Sequence, residues 1–213
     1  MNEIENIKRI YSKIKNDIEK RLKDFKERWK SNDEKIFYEL VFCLLTPQSK
    51  AKVCWNAVER MTKKNLILGG DKKEIIDAIE GVRFKYKKAE YIIEARNLFS
   101  IDGKIKIKDF IKKVMPPSNA REWMVKNVKG MGYKEASHFL RNIGFGENFS
   151  ILDRHILKNL KFIGIIEEIP SSLNKNRYIA IEKKMKEFSE EIEIPLSHLD
   201  LVLWYKETGE IFK

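Results

Sequence analysis

Cysteine is almost missing from this chain: 213 residues include only Cys43 and Cys54. Two cysteines build neither a disulfide framework nor a four-cysteine metal site. Cys43 lies in the apolar run Val41-Phe42-Cys43-Leu44-Leu45, so both read as packing residues. Histidine is nearly as sparse. His138, His155 and His198 have no paired spacing and no cysteine beside them, which argues against zinc. Polar and apolar residues do not alternate beyond Ile105 to Ile107, too short a stretch to build a sheet. No segment approaches the roughly 20 apolar residues that cross a bilayer, and the amino terminus Met1-Asn2-Glu3-Ile4-Glu5 is acidic with no apolar run behind it. Neither a membrane association nor a secretory signal is expected, and the place implied is cytoplasmic. Internal repeats and low-complexity tracts are missing too.

What the chain does have is charge and helical periodicity. Lys and Arg number 43 against 32 Asp and Glu, a formal net charge of +11 that favours a polyanion as partner. The other source of such a balance is a solvated Lys/Glu-rich surface of thermophilic type. The length suffices for a real core in one compact unit or two small lobes. Ile4, Ile7, Tyr11, Ile14, Ile18, Leu22, Phe25 and Trp29 recur at three and four, which predicts one long amphipathic helix. A coiled coil is disfavoured because Arg21 and Arg28 interrupt its second apolar seam. Ser31-Asn32-Asp33 offers caps for a second helix, Glu34 to Leu45, which is apolar on nearly every side and therefore central. Pro47 stops it. Ser49 to Met61 reads as a third helix, and Asp71 and Glu74, spaced as a capping box, open a fourth that closes at Gly81. Phe84 to Leu98 follows, then a basic linker from Asp102 to Lys108 and a short helix to Met115. Pro116-Pro117-Ser118 reads as a break and cap, and Arg121 to Val128 and Tyr133 to Ile143 as a helical pair. The last helices are expected to start near Asp153, Ser172 and Pro195, the final one ending at Gly209.

Between the paired helices lies Val128-Lys129-Gly130-Met131-Gly132-Tyr133-Lys134. Glycine between helices often serves only as a carboxyl-terminal cap. Here Arg121, Lys126, Lys129 and Lys134 surround it. The N–H groups at the start of the second helix also make a DNA phosphate a natural ligand, with Lys129, Gly130 and Gly132 at the contact. Lys134 reads as one more phosphate contact, as a solvated charge, or as a nucleophile, since the positive end of a helix and burial against DNA both favour its neutral amine. A neutral lysine attacks the anomeric carbon of a nucleoside, forms an imine and allows the 3′ phosphate to leave by β-elimination. Asp153, nineteen residues further on, precedes Arg154-His155-Ile156-Leu157 and fits an N-cap. A capping carboxylate still projects one oxygen, which is enough to stabilise oxocarbenium-like charge and to accept a proton from the lysine.

Three blocks carry a wider similarity. Gly130-Met131-Gly132-Tyr133-Lys134-Glu135-Ala136-Ser137-His138-Phe139-Leu140-Arg141-Asn142 and Asp153-Arg154-His155-Ile156-Leu157 are two of them. The third is the tail from Leu199-Asp200-Leu201 through Trp204-Tyr205 to Thr208-Gly209, and Arg83-Phe84 supports it. Over most of the chain this pattern resembles the archaeal-type 8-oxoguanine DNA glycosylase/AP lyase family, within the helix-hairpin-helix Gly/Pro-Asp DNA glycosylase superfamily. The resemblance implies an all-α, endonuclease III-like fold of two helical lobes with DNA in the cleft. Residues 32–144 would form a helical barrel lobe with the hairpin. Residues 1–31 and 145–213 would form the second lobe, with the aspartate and a base-recognition tail. Lys134 matches the family's imine-forming lysine and Asp153 its aspartate. The implied substrate is double-stranded DNA containing a damaged base, handled by a monomer. Gln48, in Thr46-Pro47-Gln48-Ser49, falls where relatives place the residue that fills the gap left by a flipped nucleotide. Pro47 departs from the small residue found there.

8-Oxoguanine differs from guanine by a proton on N7, so a discriminating site needs an acceptor where guanine also presents one. Guanine then leaves a buried polar group unpaired, worth roughly 10⁴-fold or more. The resemblance gives the acceptor to Lys213, at the chain terminus, and the stacking faces to Phe84 and Trp204, with Asp200 nearby. From spacing alone Phe84 and Trp204 read as core. Endonuclease III relatives often hold an iron–sulfur cluster after the aspartate. No cysteine follows Cys54, so no cofactor is expected beyond a monovalent cation that hairpin carbonyls could hold by family analogy. Two other readings stand beside this one: the same chemistry on another damaged base, and a noncatalytic helix-hairpin-helix module that only holds DNA.

Overall fold

A computed structural model describes residues 3–212, and its first helix, α1 (Glu3–Arg28), follows the apolar recurrence of the amino-terminal segment. Ile7, Ile14, Ile18 and Phe25 are buried along one stripe of α1, which packs on α12 (Leu196–Thr208) within the same chain. Asn32 caps α2 (Asp33–Leu45) by accepting the Lys35 N–H at 3.1 Å. Because α2 is apolar on nearly all sides it runs through the larger core, where Phe37, Leu40 and Phe42 lose all contact with solvent.

Around α2 pack α3 (Ala51–Lys63), the single turn α4 (Leu66–Gly69), α5 (Lys72–Ala78), α6 (Lys85–Phe99), α7 (Ile107–Lys113), α8 (Pro117–Asn127) and α9 (Tyr133–Asn142). Asp71 and Glu74 exchange both capping-box hydrogen bonds at the start of α5, at 2.9 Å each. The remaining helices are α10 (Arg154–Phe162) and α11 (Lys175–Glu191), which with α1 and α12 enclose a second core. Just after α1, Trp29 meets Phe145 edge to face at 4.8 Å on the larger core, while Tyr133 at the start of α9 belongs to the second. The two cores thus meet along α9, the helix that carries Lys134.

Several elements differ from the sequence expectation, among them α4, a single turn where no helix is expected. α3 begins at Ala51, because Pro47 and Ser49 form a turn with Gln48 in the left-handed region at φ 54°. α8 begins at Pro117 and not at Arg121; proline at the first helical position gives up no hydrogen bond and already has the right φ. α11 begins at Lys175, capped by Asn174, three residues beyond Ser172. The linker after α6 holds a small hairpin, β1 (Ser100–Ile101) antiparallel to β2 (Lys104–Ile105). Its turn, Asp102-Gly103, has φ 49° and 72°, the double positive φ that this pair of residues favours. Among the described residues no helix is long and apolar enough to cross a membrane.

Candidate active site

The turn between α8 and α9 sets the geometry. Gly130 sits at φ +82°, and a Cβ there would collide with the Tyr91 ring, so only glycine fits. Gly132 is in ordinary extended backbone at φ −95° and donates its N–H to Glu135 Oε2 at 3.1 Å. Its smallness matters more than its conformation, since a Cβ would stand 3.1 Å from that same oxygen. Lys129 is exposed and its Nζ lies 2.9 Å from Glu94 Oε1. Arg121, expected among the basic groups around the turn, points inward instead. It is 5% exposed, lies 4.1 Å from the Phe149 ring centroid and donates to both oxygens of Glu182 at 2.8 and 2.9 Å. A guanidinium paired this way is not offered to a phosphate.

Lys134 is the second residue of α9, mostly buried, with Nζ 3.0 Å from Glu135 Oε1. Asp153 caps α10: Oδ1 accepts the N–H groups of His155 at 2.8 Å and Ile156 at 2.9 Å. Oδ2 has no hydrogen-bond partner among the described residues. Three buried side chains hold the irregular segment leading to Asp153. Ser150 N–H donates to Glu182 Oε1 at 2.9 Å, Ile151 N–H to Asp200 Oδ1 at 2.9 Å and Leu152 N–H to the Tyr178 hydroxyl at 3.3 Å. Asp200 therefore uses one oxygen on Ile151 and the other on Arg141 Nη1 at 2.7 Å. Burial pushes its carboxyl up to about 6 against the pull of Arg141.

Lys134 and Asp153 come together on the wall of a cavity of about 80 Å³ that also includes Thr46, His138, Asp200 and Trp204. Thr46, Ser49, Lys134, Asp153 and Trp204 also line a wider cleft of about 940 Å³, which Gln48, Arg83 and Arg154 border. Trp204 meets His155 edge-on at 5.2 Å, and its buried indole N–H has no partner among the described residues. Phe84 is 55% exposed in the left-handed region at φ 60° and lines neither cavity; its neighbour Arg83 lines the cleft, 5.5 Å from the Phe84 ring. Lys129, Gly130 and Gly132 line neither cavity. Lys213 lies outside the described residues. Phe212, just before it, borders the cleft and meets Phe42 edge to face at 6.5 Å.

Glu135, Arg141, Tyr178 and Glu182 help build the site without a local sequence signal, and Lys88, which lines neither cavity, is a buried charge that the sequence likewise does not mark. Lys88 is 3% exposed, and burial lowers its ammonium to about 8. Nothing in Lys85-Tyr86-Lys87-Lys88 distinguishes the inward lysine, because its partners come from the end of α2.

A mainly helical chain whose two cores meet along the helix that follows a glycine hairpin has the fold of the helix-hairpin-helix DNA glycosylases. The chain belongs to the 8-oxoguanine DNA glycosylase family, whose sequence model matches residues 18–194. A protein of Fusobacterium nucleatum subsp. nucleatum named 8-oxoguanine DNA glycosylase/AP lyase is 48% identical over 208 residues, covering 97% of this chain and 96% of its own length. One of the same name from Korarchaeum cryptofilum is 46% identical, covering 95% and 93%. Among solved structures, the Methanocaldococcus jannaschii 8-oxoguanine glycosylase/lyase in complex with a 15mer DNA containing 8-oxoguanine is 37% identical. It superposes with a TM-score of 0.89 over 99% of both chains.

Proposed function

We propose that this chain excises 8-oxoguanine from double-stranded DNA and cleaves the resulting abasic site, with Lys134 as nucleophile and Asp153 as its electrostatic and acid–base partner. The observation that carries the reading is the meeting of Lys134, Asp153 and Trp204 on one cavity wall that opens into the cleft. The relatives' names supply the lesion. Lys134 Nζ bonds to C1′ as the glycosidic bond breaks and the base leaves with the bonding pair. Asp153 Oδ2, free of the cap, stabilises the positive charge on the sugar and accepts the proton that the amine sheds. Ring opening gives an imine, and loss of a proton from C2′ expels the 3′ phosphate. These steps need no metal or redox cofactor.

The N–H groups at the start of α9 hold a phosphate, Gln48 fills the gap in the duplex, and Phe84 and Trp204 take the faces of the extruded base. Asp200 holds the segment before Asp153 through the Ile151 N–H and, lining the same cavity, stands near the extruded base as a polar group. The test is borohydride trapping on a duplex containing 8-oxoguanine. Wild-type protein should form a covalent adduct and cut the strand. Lys134→Gln should bind the duplex with neither adduct nor cleavage, because an amide cannot become an imine; cleavage by that variant overturns the assignment.

A further inference from the structure

Lys88 is a buried cation that the steps above leave unused. Its ammonium donates to Leu45 O and Pro47 O, each at 2.7 Å, and to Ser49 Oγ at 3.2 Å. Three N–H bonds thus meet three acceptors, one at the last residue of α2 and two on the turn that presents Gln48. The backbone of Lys88 reaches the other way, its N–H donating to Phe84 O at 3.0 Å. Ser49 closes the ring, since its hydroxyl oxygen also accepts the Arg83 N–H at 3.1 Å. Gln48 and Phe84 are both non-glycine residues in the left-handed region, at φ 54° and 60°, and such a conformation persists only where neighbours enforce it. One residue, Lys88, touches the backbone of both turns.

We infer that Lys88 is a positioning residue that couples the Gln48 turn to the Phe84 turn, so that gap filling and capture of the extruded base act as one rigid unit. This rests on the functional reading given above. Charge is part of the device, because the ammonium has three N–H donors and the neutral amine two, so deprotonation releases one of the three acceptors. The groups facing Lys88 are Cys54 on α3, Lys134 and Glu135 on α9, and Arg83 before α6. Burial dominates over all of them, and the full set of bonds is held below a pH of about 8 and lost above it.

The experiment compares wild-type protein with Lys88→Met and Ser49→Ala on two substrates, at pH values on both sides of 8. One substrate is a duplex containing 8-oxoguanine, the other a single strand with a ready-made abasic site, which has no gap to fill and no base to hold. Lys88→Met should lose about 10- to 100-fold on the duplex, as expected for bonds from a charged donor. Its abasic cleavage should stay within about threefold of wild type, the range of a neutral surface change. Ser49→Ala should show a smaller loss of the same kind. In wild type the ratio of duplex excision to abasic cleavage should fall above pH 8, and in Lys88→Met it should be flat. Parallel losses on both substrates, or an unchanged pH dependence of the ratio in Lys88→Met, overturn the coupling. If Lys88→Met does not fold, Ser49→Ala decides by the same ratio. A wild-type protein that cuts the abasic strand but leaves 8-oxoguanine in place defeats the lesion assignment instead.

Discussion

The two oxygens of Asp153 have different surroundings: Oδ1 accepts from two N–H groups of α10, and Oδ2 accepts from none among the described residues, while Asp153 lines the cavity. Asparagine caps a helix as well as aspartate does, so Asp153→Asn should melt at the wild-type temperature. The same variant should lose about 10²- to 10⁴-fold in single-turnover base removal, the usual scale for a positioned acid–base group. A loss under threefold would leave Asp153 as a cap and nothing more. Cys54 allows a second test at this scale. Burial pushes its thiol up to about 11, and Sγ donates to Leu45 O at 3.2 Å. A raised value keeps the thiol protonated through neutral pH, where the thiolate is the reactive form. Folded protein should therefore resist alkylation at neutral pH and react at Cys54 only on unfolding; rapid labelling of the native protein would contradict its placement. Lys134 and Asp153 stand out in the sequence as candidates because the chemistry asks for an amine and a carboxylate beside a turn suited to a phosphate, and both line one cavity. Asp200 was legible only as a polar group near the site. Its actual partners, Arg141 and the Ile151 N–H, lie 59 and 49 residues away.

At the scale of elements, the hairpin between α8 and α9 separates the roles of its two glycines. Gly130→Ala meets both a left-handed φ of +82° and the Tyr91 ring, and should cost about 2–4 kcal/mol in urea unfolding. Gly132→Ala meets no conformational penalty and presses only on a carboxylate that can swing away, so it should cost less than about 1 kcal/mol. Equal costs would mean that the turn relaxes in a way this backbone does not suggest. Helix positions were readable from the recurrence of apolar residues and from caps such as Asn32 and Asp71, which act within one turn. The start of α8 is hidden in the sequence because Pro116-Pro117 reads as a break, although the second proline suits the first helical position. The hairpin of β1 and β2 was missed because two residues per strand leave no alternation to detect.

At the scale of the whole molecule, the net charge of +11 should appear in binding. Each phosphate neutralised by Lys or Arg contributes about −0.9 to the slope of log affinity against log salt, so a duplex titration should weaken steeply with salt. A flat dependence would mean that the excess charge is ordinary surface. The sequence by itself determined the helical class, the order of most helices, the hairpin and the candidate amine and carboxylate. All of these rest on periodicity, capping and turn chemistry that act over a few residues. Only the tertiary structure decided which charged side chains turn inward. Arg121 finds Glu182 at a separation of 61 residues and Lys88 finds the end of α2 at 43, and neither pairing leaves a mark in the local sequence. A charge enters the interior only where partners from distant elements replace its water, and that condition is met by packing. The same packing brings α9, the Asp153 cap and Trp204 to one cavity wall, turning separate local motifs into a site.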